Sequence, residues 1–568
     1  MRFSKVYKQI VLDNSFKNWK NLLDYYFQIN KAHLLMLART EIVPKSLAKE
    51  IAQALADLEN EKIDEKLPED VEDLVFLIER RLSQKIGIEK AGFLHTARSR
   101  NDIDAAIFRM CVREKLLEVA RELIDLVEKL SKKAKQNLRT FLLMLARTEV
   151  VPKSLAMEIA RALSELENEK IDERLPDGIE DLVFLIERRL SQKIGIEKAG
   201  FLHTARSRND IDATIFRMCV REKLIEVAEE LIGLVEKLSE KAKRNVRTVL
   251  LMYTHGQPAQ PSTLSHYLLS LAFDFLEVLE ELISAFRVVN LCPMGSAAIT
   301  TTGFKIDRKI VSDYLGFFEP VENSYRAIVT SHWINMALNP LKVLAIDLSR
   351  FAQDVLHKAS CEVGIFSFPD ELVQISSIMP QKRNPVILEH LRIRSSVSFG
   401  SFNAVEVAFL NTPYQDVNEN GDFVLFKFLD GAEVLMQALQ LTKEIIEKMT
   451  VNEDRVREIS LSTGSTATEL ADHLVREFQI SFRQAHRIVS EYVKSGMRYD
   501  SLAESFEKLT GKRFTSSLSQ VEEVLSVENF VRVRQVMGQV KKVSKRCSKD
   551  SKVVFKMASI RSRRSSFS

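Results

Sequence analysis

The sequence predicts an all-α protein, a bundle of long central helices flanked by smaller helical N- and C-terminal domains. Three observations carry this. Gly (18 of 568 residues) and Pro (13) are scarce, while Leu, Glu, Lys, Ala and Ile dominate, a composition that favours helix over turn-rich β architecture. Apolar residues recur at spacings of three and four over many turns, as on one face of a buried helix. No alternating apolar–polar run of comparable length accompanies them.

Taken along the chain, residues 1–36 form an N-terminal segment whose opening, MRFSKVYKQIVLDNSFKNWKN, lacks an apolar run of signal-peptide length. A tandem repeat follows. Residues 37–144 and 145–252 are two copies of one 108-residue unit with 91 identical positions, and each joint falls at the tripeptide Leu-Leu-Met. Two copies of so long a unit do not make a solenoid, and the pattern reads as a recent duplication or as a chimera of two close sequence variants. Within a unit, the segment SRND offers polar N-cap residues. Apolar residues then fall at Leu116, Val119, Leu123, Leu126 and Leu130, which predicts a long amphipathic helix. Residues 253–450 form a central helical domain, with further helices around 263–289, 337–360, 386–410 and 423–449. Residues 451–540 form a C-terminal helical domain. Residues 541–568 are basic and Ser-rich, and are expected to be a disordered tail.

Bulk properties limit the function. A formal charge of +4 over 568 residues is near balance, so nucleic acid is not an expected partner. No stretch of about 18 uncharged apolar residues appears, so a membrane span is not expected. Five cysteines (Cys111, Cys219, Cys292, Cys361 and Cys547) show no metal-ligand spacing, which points to free thiols in the cytoplasm.

Four segments combine polar side chains with turn chemistry. GFLHTARSRND, at 92–102 and again at 200–210, places Arg, Ser and Asn at the start of a helix, which taken alone reads as a charged capping loop or as a natural anion site. YTHGQPAQPSTLSH, at 253–266, carries an imidazole on a turn, and Ser262 or Thr263 can cap the next helix. CPMGSAAITTTGFKIDR, at 292–308, is rich in small residues that allow close approach. SSIMPQKRNPVILEH, at 376–390, brings two serines, Lys382 and Asn384 onto a loop that Pro385 turns into a helix bearing Glu389.

Together these motifs resemble the fumarase/aspartase superfamily, and HTARSRND with YTHGQPAQP resembles its argininosuccinate lyase branch. The resemblance extends to KAHLLMLAR, EDLVFLIERRL, LSRFAQDVLHKAS, FPDEL and STATELADHLVREFQISFRQAHRIV, in the family's order. It implies elimination of fumarate from a succinyl group on nitrogen, with argininosuccinate giving arginine. Ser376 is then the base, His255 the general acid or proton relay, and Glu389 its carboxylate partner. Lys382 and Asn384 would bind the succinyl carboxylates. Thr254, Gln257 and Tyr414 would complete the substrate shell with Ser207, Arg208 and Asn209, or with the first-copy equivalents Ser99, Arg100 and Asn101. The resemblance implies a homotetramer with shared active sites and no metal or organic cofactor. The alternatives are an adenylosuccinate lyase-like or other succinyl lyase of the same superfamily, and a catalytically impaired structural homologue.

This chain also departs from the family pattern. Ile375 stands where the catalytic loop normally has Gly, which implies a stiffer hinge. Val75 and Val183 replace a His, and Ala97 and Ala205 a Gly. TPYQDVNENGD lacks the Lys that usually follows Tyr414 and offers Asn418. Because the second copy runs directly into YTHGQP, it is expected to supply the bundle helix. The first copy is expected to be an extra, poorly packed lobe.

Overall fold

The computed structural model describes residues 23–61, 74–96, 119–167, 182–375, 381–534 and 539–562, with a few isolated positions besides. The first copy forms helices α1 (Leu23–Arg39), α2 (Lys45–Glu59) and α3 (Leu74–Ile86). Helix α4 (Val119–Arg147) runs straight through the joint at Met144 into the second copy, which continues as α5 (Lys153–Glu167) and α6 (Leu182–Ile194). Then comes α7 (Arg208–Arg244), at 37 residues the longest helix described. A hairpin of β1 (Val249–Thr254) and β2 (Gln257–Thr263) leads into α8 (Leu264–Val289). Next come α9 (Arg308–Tyr314) and α10 (His332–Lys358). A short hairpin of β3 (Gln374–Ile375) and β4 (Arg383–Asn384) precedes α11 (Val386–Ala408) and α12 (Asp422–Lys448). The C-terminal lobe contains α13 (Glu453–Thr463), α14 (Ala467–Phe478), α15 (Phe482–Lys494), α16 (Tyr499–Thr510) and α17 (Leu518–Leu525). Helix α18 (Gln539–Ser562) follows.

Helices α7, α8, α10, α11 and α12 form the central bundle. α7 packs on α8 and α12, α8 on α10, α10 on α11, and α11 on α12, closing the ring. Leu224, Leu231 and Leu238 of α7, Leu268 and Leu279 of α8, and Leu348 of α10 are fully buried. Burying each such side chain contributes on the order of 2 kcal/mol. The lobe from α14 to α17 has its own core around Leu470, Ile488, Leu502 and Phe506. The helices expected around 263–289, 337–360, 386–410 and 423–449 are present, as is the long helix after the second SRND. In the first copy the residues that follow SRND lie largely outside the described residues.

Two expectations are corrected. The described N-terminal helices of the first copy are not poorly packed, because α2 contacts both α1 and α3. They enclose Leu37, Ile51, Leu55, Leu74 and Leu82, all fully buried. Three short amphipathic helices suffice to close a small core without a second bundle. Residues 539–562 are not a disordered tail either: they are helical, and α18 packs along α7 and α8. Val543, Cys547, Val554 and Met557 lie at spacings of a helical stripe and are buried there, which offsets the ordering entropy of a basic, Ser-rich segment.

Candidate active site

The start of α7 is shaped by the residues just before it. Ala205 has φ 60°, a left-handed conformation that redirects the chain into Ser207, the extended N-cap residue. Arg206 turns inward and is completely buried. Its Nε donates to the Leu202 carbonyl at 2.7 Å, and its guanidinium pairs with Glu187 of α6. Burial works against the Glu187 charge, but bonds from His203 and Arg206 outweigh it and hold the carboxyl below its usual range. The EDLVFLIERRL helix is thereby tied to the anion-site motif.

Asn209 and Asp210 face the small-residue loop that follows α8. The Asp210 carboxylate accepts from the Ala297 backbone N–H at 2.9 Å, and the Asn209 amide donates to the Ala298 carbonyl at 3.2 Å. The loop is conformationally demanding. Gly295 (φ 84°), Ala297 (46°), Ala298 (68°) and Thr301 (65°) are all left-handed. A Cβ on Gly295 would also meet the Arg308 side chain at 2.9 Å, so glycine is required there. Strain of this kind persists only where surroundings over-determine it, and it gathers at functional sites. Burial pushes the Asp210 carboxyl up to about 6, although the N–H groups of Ala297, Ser207, Gly295 and Ala298 oppose the shift.

Asn209 makes a second bond, to Asp416 at 2.8 Å. This brings the TPYQDVN loop onto the start of α7, where the Tyr325 hydroxyl donates to the Tyr414 carbonyl at 2.6 Å. The Tyr414 side chain itself is exposed. Three sequence-distant segments thus meet at Asn209. Asp210, Asp416 and Tyr325 are the residues that sequence reasoning missed. The first lies inside the SRND motif and the second two positions after Tyr414, but neither has a signal that separates it from a capping or solvated acid. Arg208 lies with its guanidinium carbon 5.5 Å from the centre of the Phe184 ring.

His255 sits at the tip of the β1–β2 hairpin. Thr254 pairs with Gln257, which leaves His255 and Gly256 as a two-residue turn with φ 52° and 75°. Both positive values define a type I′ turn, which usually takes Asn or Gly at the first position. An imidazole there is held against local preference, and Thr254, His255 and Gln257 are all exposed. The hairpin is anchored by Thr263, whose hydroxyl caps α8 by accepting from the His266 N–H at 3.1 Å.

The loop before α11 spans a second hairpin in which Gln374 pairs with Asn384 and Ile375 with Arg383. Ile375 is a ladder residue, and its extended backbone suits a β-branched side chain better than Gly. Lys382 is exposed, Asn384 half-buried, and Glu389 exposed on the first turn of α11. Ser376, and with it Ser99, Arg100 and Asn101, lies outside the described residues. Among the described residues of one chain, no hydrogen bond or ion pair joins His255 to Glu389. No group of three or more His, Cys, Asp or Glu that could hold a metal is found among them, and none of the described helices is long and apolar enough to cross a membrane.

The fold and these motifs define a helical-bundle lyase of the fumarase/aspartase superfamily. A lyase family profile matches residues 12–171 and again 142–400, and an argininosuccinate lyase C-terminal profile matches 464–532. The chain is 37% identical over 411 residues to argininosuccinate lyase 2 of Agrobacterium fabrum, covering 70% of this chain and 82% of that protein. It is 33% identical over 406 residues to argininosuccinate lyase of Methanothermobacter thermautotrophicus, covering 70% and 86%. Among solved structures, EDDS lyase in complex with formate superposes with a TM-score of 0.70 at 24% identity, over 77% of this chain and 90% of that one. A class II fumarase from Schistosoma mansoni gives 0.58 at 16% identity, over 72% and 92%. The chain belongs to the argininosuccinate lyase family, whose members are lyases acting on a carbon–nitrogen bond.

Proposed function

We propose that this protein eliminates fumarate from argininosuccinate, releasing arginine. The supporting observation is the convergence at Asn209, where the anion-site motif, the left-handed loop 295–301 and the loop bearing Tyr414 meet through two side-chain bonds. In this reading Ser376 removes the proton beside a succinyl carboxylate. The carbon–nitrogen bond breaks as the carbon–carbon double bond forms, and His255, paired with Glu389, protonates the departing nitrogen. Lys382, Asn384 and the start of α7, with Ser207, Arg208 and Asn209, hold the carboxylates whose charge grows in the transition state. Thr254, Gln257 and Tyr414 complete the shell.

His255 and Glu389 are both exposed and unbonded to each other within one chain, which favours a site completed by further subunits. The exposed apolar side chains Val343 and Ile346 of α10 and Ile393 and Val397 of α11 offer a surface for a second copy, in keeping with a homotetramer. Cys219, Cys292, Cys361 and Cys547, none of them in a disulfide, suit a reducing cytoplasm. A second reading, elimination from another succinyl amine, draws on the 411–421 loop, which contains Asp416 and Glu419 but no Lys or Arg. The test is to incubate the purified chain with argininosuccinate and follow fumarate by ultraviolet absorbance. Release supports the first reading. No release from a folded oligomer, with turnover of another succinyl amine, overturns it in favour of the second.

A further inference from the structure

Helix α18 sorts its side chains onto two opposed faces. Val543, Cys547, Asp550, Val554 and Met557 follow spacings of four and three and are all buried, and α18 packs against α7 and α8. Ser544 meets Ser239 at 3.0 Å, and Arg546 pairs with Glu280 at 3.1 Å, which fixes the helix's rotation. Lys542, Lys545, Lys549, Lys552 and Lys556 are all exposed, with spacings of three and four in the same rhythm. At about 100° per residue the lysine row points roughly 140° away from the buried stripe and runs for about 21 Å. None of the five forms an ion pair among the described residues. Phe555 stands on the flank of this row and is 77% exposed.

The charge is just as uneven along the chain. Residues 539–568 hold ten Lys or Arg against one acidic residue, a net +9, so the rest of a chain with net charge +4 carries −5. A disordered tail of this composition would present no fixed surface. As a helix seated by its apolar stripe, it turns five cations outward in one line on an otherwise acidic body.

We propose that the outer face of α18 binds the phosphate backbone of a single nucleic-acid strand without sequence preference. A row of lysines supplies point charges for phosphates and no fork for reading bases. Phe555 beside Lys552 and Lys556 supplies an aromatic face on which a base can stack. A membrane surface fits less well, because the apolar stripe that would enter the lipid is already occupied by α7 and α8. The proposal is independent of the lyase reaction.

The test is fluorescence anisotropy of a fluorescein-labelled 20-nucleotide oligouridylate titrated with the full chain between 50 and 200 mM KCl. With five phosphates neutralised, log K falls against log salt with a slope of about −3.5, a roughly hundredfold weakening over that range. The variant K542Q/K545Q/K549Q/K552Q/K556Q should lose binding while keeping the wild-type melting temperature, since all five side chains are exposed. The milder K549Q/K552Q should make the slope shallower by about 1.4. F555A should weaken binding about tenfold at unchanged slope. Absence of binding at 50 mM KCl, or binding indifferent to the lysine substitutions, overturns the proposal. So does binding to phosphatidylserine vesicles with none to the oligonucleotide.

Discussion

The repeat supplies its own control for asking which copy serves the reaction. Glu187 and Glu79 occupy equivalent positions 108 residues apart, in helices of identical sequence. Glu187→Gln removes the counter-charge of Arg206, whose side chain is completely buried and whose Nη1 has no partner. Removing one member of a buried pair costs roughly 3–5 kcal/mol. Glutamine retains an acceptor, so the loss should be nearer about 2–3 kcal/mol. Arg206 immediately precedes Ser207, so this cost falls on the turn that presents Ser207, Arg208 and Asn209. The expected outcome is a lower urea midpoint by circular dichroism and at least about a tenfold loss of fumarate release, equivalent to about 1.4 kcal/mol of barrier. Glu79→Gln should leave turnover within about twofold, under about 0.5 kcal/mol. The Glu187 carboxyl is held below its ordinary 4.5. Its contribution is therefore present above that pH and is lost as pH falls through the lower folded value. Wild type and Glu187→Gln should accordingly converge in stability on the acid side. Equal losses of turnover from the two substitutions would refute the assignment of the second copy to the site.

Further outcomes follow from the same geometry. Deleting residues 37–144 should preserve or raise turnover; loss of activity with undiminished expression would show that the first copy is needed. Ala205→Gly relieves a left-handed Ala, worth about 1–2 kcal/mol, against about 0.5–1 kcal/mol of added chain entropy. A gain of about 0.5–1 kcal/mol in a urea melt is expected, and a loss would contradict the strain assigned there. Asp210 has a folded value of about 6 against 3.8, so its contribution is full at low pH and is lost as pH rises through about 6. Relative to wild type, Asp210→Asn should therefore gain up to about 3 kcal/mol between about pH 4 and pH 7; a difference that stays flat with pH would refute the buried, raised carboxyl. Ser376→Ala should abolish fumarate release while leaving the melt unchanged; retained turnover would remove Ser376 as the base.

The bundle was legible because its helices repeat an apolar stripe over many turns, as Leu224, Leu231 and Leu238 do. The motif segments were legible because polar residues on turns stand out against plain helix. Helix α18 was not. Its stripe of Val543, Cys547, Val554 and Met557 is interrupted by Asp550 and diluted by Lys and Ser, so composition outweighed periodicity. The bond from Asn209 to Asp416 spans 207 positions, and no local pattern announces such a contact. Nor does the sequence distinguish Ala297 and Ala298, held left-handed by Asn209 and Asp210, from small residues that merely pack.

The repeat separates the two kinds of information. Sequence alone determined the helical class, the duplicated unit and the family motifs, because each rests on local periodicity or on residue identity. Tertiary context decided what the end of each unit becomes. Residues 134–144, AKQNLRTFLLM, lie wholly within helix α4, whereas residues 242–252, AKRNVRTVLLM, leave helix α7 after Arg244 and enter strand β1 at Val249. The two stretches are identical at eight of eleven positions. After Met144 the chain continues as a helix, and Phe141 and Leu145 are buried on its apolar face. After Met252 the His255–Gly256 turn folds β2 back onto β1, and Leu250 and Leu251 are buried in that hairpin. Local propensity differs by a fraction of a kcal/mol between such states. The partner available to satisfy the backbone and cover the side chains decides between them.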